Sequence, residues 1–114
     1  MAHSTKGTHR IDVRETVYRW RAIGADYSIT LVIWPSHNDT HEIRCGFGYH
    51  ESHTDADGVA KSVPQLIVTN RLVRRVLEYT LDNLEYDPNT AAEDLLIKDV
   101  ETLIDWSDAV RATR

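Results

Sequence analysis

The segment from Tyr27 to Trp34 reads Tyr-Ser-Ile-Thr-Leu-Val-Ile-Trp and constrains the fold more than any other part of the chain. β-Branched and aromatic side chains suit a pleated, half-buried surface. Successive side chains of a strand point to opposite faces. Tyr27, Ile29, Leu31 and Ile33 therefore share one face, and Ser28, Thr30, Val32 and Trp34 share the other. Pro35-Ser36-His37-Asn38-Asp39 follows as a cluster of turn formers.

The flanking segments alternate in the same way. Tyr18 and Trp20 interleave with Arg19 and Arg21, and Ile11 and Val13 begin either this strand or a preceding one. Gly24-Ala25-Asp26 reads as a turn. From His41 to Tyr49, Ile43, Cys45, Phe47 and Tyr49 face one side while Glu42, Arg44, Gly46 and Gly48 face the other. Three strands joined by short connections predict an antiparallel meander. Gly46 and Gly48 leave a bare groove on its outer face or mark a bulge.

Gln65–Val68 is a short apolar run, extended after Pro64. Thr69 or Asn70 then caps a helix reaching about Leu84, with Leu72, Val73, Val76, Leu77, Leu81 and Leu84 in one apolar stripe. Tyr86-Asp87-Pro88-Asn89 breaks the chain. Beyond it, Leu95–Ile97 reads as a strand, and Asp99 caps a second helix through about Arg111, with Val100, Leu103, Ile104 and Val110 inward. The alternative is a capping box of Thr90 and Glu93 opening one long helix. The first reading is favoured. The expectation is an α+β fold: an antiparallel meander of three to four strands with one or two helices packed on one face. Residues 10–114 form one domain and residues 1–9 a disordered tail.

A chain of 114 residues suits a single domain that builds its core without disulfides or a structural metal. Net charge is -5, which argues against a bulk electrostatic grip on nucleic acid. Cys45 is the lone cysteine, so no internal disulfide framework exists. The amino end lacks the apolar run of a signal peptide, and no stretch has the length of a membrane span. These features predict a cytoplasmic protein with no cofactor.

One resemblance emerges. The strand Tyr18-Arg19-Trp20-Arg21 is followed by Val68-Thr69-Asn70-Arg71-Leu72-Val73-Arg74-Arg75-Val76-Leu77-Glu78-Tyr79 and then by Leu84-Glu85-Tyr86-Asp87-Pro88. This resembles a group of small uncharacterised bacterial proteins with a Tyr-Arg-Trp-Arg strand, a helix opening with Thr-Pro, and a Gly-Trp-x-Pro end. The likeness spans about residues 16–98. The chain departs from it at Asn70, where the group has Pro, and at Glu85-Tyr86, where it has Gly-Trp. No activity attaches to the group, so the resemblance implies a fold and no catalytic residue.

His37, His41, His50 and His53 lie near Cys45, Asp39, Asp55 and Asp57. A transition-metal site needs three or four such groups at one point. At about 3.3 Å per residue, an unbroken strand would separate His41 from His50 by about 30 Å. Only a site of His50, His53, Asp55 and Asp57 survives, against the reading of solvated loop histidines. Asp55-Ala56-Asp57-Gly58 fails as a calcium loop, because Pro64 falls where the bidentate Glu belongs. His50-Glu51-Ser52-His53 is one residue short of the zinc-protease spacing, and Ser52 and Ser62 lack a nucleophile elbow.

Two surface features remain. Arg19, Arg21, Arg44, Val32 and Trp34 fall together on the outer sheet face, and Arg and Trp are enriched at binding hot spots. Ordinary cross-strand pairing of Arg21 and Arg44 with Glu15 or Glu42 is the bland alternative. Arg71, Arg74 and Arg75 sit in the first turns of the helix, against its dipole, and suggest an anion or acidic partner, or else salt bridges elsewhere on the fold. The leading expectation is a non-enzymatic interaction module. Its partner is a second copy, as a homodimer, or an unknown protein. The alternatives are a metal-dependent or hydrolytic enzyme using loop 50–57, and anion or RNA binding through the arginines.

Overall fold

The computed structural model describes residues 7–24, 28–48, 53–54, 60–61, 65–106 and 110–111. In chain order these form β1 (His9–Val13), β2 (Thr16–Gly24), β3 (Ser28–Pro35), β4 (Ile43–Gly48), β5 (His53–Thr54), β6 (Ala60–Lys61), β7 (Gln65–Leu66), α1 (Asn70–Asn83), β8 (Leu95–Ile97), α2 (Val100–Leu103) and β9 (Val110–Arg111). The fold is α+β. Its main sheet has five strands in the order β1-β2-β3-β4-β8, and β5 with β6 and β7 with β9 make two small ladders.

Strands β1 to β4 form the antiparallel meander that the alternation predicts, with Trp20 opposite Ile33 and Ile33 opposite Ile43. The sheet is wider than the three to four strands expected, at both margins. Ile11 and Val13 belong to a separate first strand, joined to β2 by a two-residue turn, Arg14-Glu15. Both turn residues have positive φ, 50° and 66°. Such a turn matches the strand twist but normally takes Asn or Gly, so its sequence does not announce it. At the other margin β8 pairs with β4 in parallel, Ile43 opposite Leu95 and Cys45 opposite Ile97. A parallel neighbour requires a crossover, and α1 lies within it.

The core lies between one sheet face and α1. Ile11, Val13, Tyr18, Trp20, Ile29, Leu31, Ile33, Ile43, Cys45 and Phe47 supply the sheet side, and Leu72, Val73, Val76 and Leu77 the helix side. Thr69 is the N-cap, its side chain accepting from the Leu72 N–H at 3.4 Å. At the far end the Leu84 N–H donates to the Thr80 carbonyl, and Glu85 turns into the left-handed region at φ 53°. The helix thus ends where the hydrophobic stripe does, without a glycine.

The second helix is much shorter than Asp99 to Arg111. It comprises Val100–Leu103, and Ile104 is already extended. Asp99 is left-handed at φ 55° and makes no side-chain cap hydrogen bond, so the expected cap does not form. Thr90 does not open a helix either: the Thr90 and Ala91 N–H groups close turns on the Asp87 carbonyl. Residues 1–6 of the expected tail, Ala25 and Asp26 of the expected turn, and residues 49–52, 55–59 and 62–64 lie outside the described residues. Among the described residues, no helix is long and apolar enough to cross a membrane.

Candidate functional site

The face opposite α1 is built from rows of cross-strand neighbours. One row runs Arg21–Val32–Arg44–Leu96 across β2, β3, β4 and β8. Beside it lies Ile23–Thr30–Gly46, and on the other side Arg10–Arg19–Trp34. The five residues singled out from the sequence, Arg19, Arg21, Val32, Trp34 and Arg44, thus do meet on one face. A Cβ added at Gly46 would meet nothing within 4 Å, so its position is open floor.

Exposure divides this patch. Val32 and Trp34 are only 1% and 2% exposed. The Arg21 guanidinium lies over the Trp34 ring, 6.0 Å from its centroid, within the reach of a cation–π contact. Arg21 Nε is itself buried without a hydrogen-bond partner. Arg44 Nε donates to the buried Glu42 carboxylate. The indole expected as an open anchor is therefore covered within the chain. The accessible apolar positions on this face are Ile23, 46% exposed, and Leu96, 63% exposed, which the sequence reading did not single out. Ile23 carried a signal, lying on the arginine side of its strand, whereas the face of Leu96 depends on the pairing of β8 with β4.

The helix arginines are engaged locally. Arg74 Nη2 donates to the Asp12 carbonyl at 3.0 Å and Arg75 Nη1 to the Asp105 carbonyl at 2.9 Å. Arg71 is exposed in the first turn. Arg74 and Arg75 thus each fasten α1 to a backbone carbonyl of another segment. Of the loop 50–57 residues, His50, Asp55 and Asp57 lie outside the described residues, as does the side chain of His53. Among the described residues, no three His, Cys, Asp or Glu side chains converge to hold a metal.

A polar cluster closes the other end of the core. His41, 1% exposed, shares a hydrogen bond of 2.5 Å between Nε2 and the Tyr86 hydroxyl. Burial pushes the Tyr86 phenol well above its ordinary range, with Tyr18 and Asp87 adding to the shift. Burial likewise raises the Tyr18 phenol. Cys45 is buried and its thiol is pushed up to about 12 by desolvation, so it carries no nucleophilic thiolate near neutral pH. Arg14 and Asp82 make a bidentate pair at 2.8 and 3.1 Å that fastens the β1–β2 turn to α1.

A cleft of about 650 Å³ opens beside the Arg10–Arg19–Trp34 row, where the β1–β2 turn meets the corner after β3. Arg10, Arg19, Glu15, Ser36, His37 and Asn89 line it. Neither Arg10 nor His37 could be placed there from the sequence, because the cleft depends on the register of β1 and on the path of the 86–94 segment.

The chain matches no protein-family model, no curated protein and no solved structure. The likeness to the Tyr-Arg-Trp-Arg group accordingly assigns no role to any residue.

Proposed function

We propose that this chain is a non-enzymatic interaction module that holds a protein partner, in the first instance a second copy of itself, on the outer face of its sheet. One observation carries the reading. Arg21 and Arg44 stand in one row with exposed Leu96, beside exposed Ile23 and the open floor at Gly46. Both described helices contribute their buried residues to the opposite side. Apolar area flanked by arginines is the composition that distinguishes interface patches from ordinary surface. The face carries the exposed Asp12 carboxylate as well as the arginines. A copy related by a two-fold axis can therefore meet it with opposite charge.

Sedimentation equilibrium from micromolar to millimolar concentration tests this. A reversible dimer is expected, and Ile23→Asp with Leu96→Asp should return it to monomer while leaving the fold intact. A chain that stays monomeric throughout, or that associates equally well with both residues replaced, overturns self-association through this face.

A further inference from the structure

The cleft beside the β1–β2 turn has a charge arrangement that the interaction reading does not use. Arg10 and Arg19 are directly opposite each other on β1 and β2. The two-residue turn makes Val13 and Thr16 the hydrogen-bonded closing pair, so Arg10 and Arg19 fall on a non-hydrogen-bonded pair, the type that brings side chains closest. Like charges directly opposite on one face destabilise a sheet. Compensation within the chain is slight. Arg10 reaches Asp12 only at 3.5 Å, with both side chains 61% exposed. The Arg19 side chain makes no hydrogen bond or ion pair among the described residues, and Glu15, on the same cleft, pairs with neither arginine.

The opposite wall is held in place. The Ser36 N–H donates to the Val17 carbonyl at 2.9 Å, and His37 Nε2–H donates to Asn89 Oδ1 at 2.8 Å. Asn38 Nδ2 donates to the Pro88 and Ala91 carbonyls at 3.0 and 2.9 Å, binding the corner to the segment behind it. A preformed wall facing two guanidinium groups is the geometry that fixes an oxyanion.

From this juxtaposition we infer that the cleft binds a phosphate monoester, its oxygens held between Arg10 and Arg19 with the Ser36 hydroxyl as a third donor. The volume, about 650 Å³, suits a small organic phosphate. Glu15, which also lines the cleft, supplies an acceptor for a hydroxyl of the organic part.

Chemical-shift titration of the full chain with inorganic phosphate, glycerol 3-phosphate and a phosphoserine peptide tests the site. Saturable shifts at Arg10, Arg19, Ser36 and His37 are expected. Arg19→Gln should weaken binding at least tenfold, as loss of a charge-assisted hydrogen bond does. Arg19→Lys should fall between the two, since it keeps the charge and loses the fork. Glu15→Gln should tighten inorganic phosphate, which keeps the test open even if Arg19→Gln fails to fold. Preference for glycerol 3-phosphate identifies a free metabolite as the source, and preference for the peptide a phosphorylated partner. Shifts that do not saturate, or that are unaltered in both Arg19→Gln and Glu15→Gln, overturn the site.

Discussion

Arg74 reaches from α1 to the free margin of β1, where its Nη2 donates to the Asp12 carbonyl at 3.0 Å. The turn register places that carbonyl on the side of β1 away from β2. An unpaired strand margin is a template for another chain, and here a helix arginine occupies one of its acceptors. Arg74→Ala should therefore lower the temperature at which heated protein begins to scatter light, while Arg74→Lys restores it in part. An unchanged onset would show that the margin is guarded by something else.

Among the four described non-glycine residues with positive φ are Glu15 at 66° and Glu85 at 53°. Left-handed backbone costs an ordinary residue about 1 kcal/mol or more that glycine does not bear, offset by the greater freedom of glycine in the unfolded chain. Glu15→Gly and Glu85→Gly should each raise stability by about 0.5–1 kcal/mol in urea unfolding. Arg14 also has positive φ, yet its replacement should destabilise, because its guanidinium grips Asp82.

The stripe on α1 should dominate the energetics. Leu77 is fully buried against the sheet, and Leu77→Ala should cost about 2–5 kcal/mol. Leu96→Ser, at a position 63% exposed, should change the stability of the monomer, measured at dilution below dimer formation, by less than about 0.5 kcal/mol. Denaturant midpoints of the two variants, compared at equal slope, make the check.

Alkali should unfold the protein through its tyrosines. Burial raises the phenols of Tyr18 and Tyr86 above their ordinary value of 10.0. A raised value in the fold means that this contribution is complete below about pH 10 and is lost as pH rises above it, when the unfolded chain ionises first. Unfolding free energy measured against pH should fall above about pH 10. Tyr86→Phe should start from lower stability, having lost the His41 hydrogen bond, and should fall less steeply.

Cys45 offers a direct reporter of the core. Its thiol, buried and held protonated, should not react with a thiol reagent in native protein at neutral pH. Reaction should appear only as denaturant opens the fold, at the midpoint that circular dichroism gives. Rapid native labelling would place the thiol outside the core.

Period-two alternation made the faces of β2, β3 and β4 legible, and helical spacing with a cap at Thr69 or Asn70 made α1 legible to within a residue. What the sequence hid follows from physics that no local pattern carries. Arg14-Glu15 is a poor turn by composition, and only the pairing of β1 with β2 forces it. The parallel direction of β8 depends on where α1 delivers the chain. The placement of Trp34 on the outer face was readable, but its burial was not, because it depends on long-range packing of which Arg21 is one part. The Arg10–Arg19 cleft needed the same register together with the Asn38 tether to residues 88 and 91.

The parallel seam between β4 and β8 has a consequence during synthesis. Ile43 leaves the ribosome about fifty residues before its partner Leu95, and at ordinary translation rates that interval lasts roughly three to ten seconds. The meander can form within it, but β4 then presents an open flank at the moment the nascent chain is most crowded by its neighbours on a polysome. Chaperone demand should therefore peak late, between emergence of α1 and arrival of residues 95–97, and slow codons placed there would lengthen the exposure.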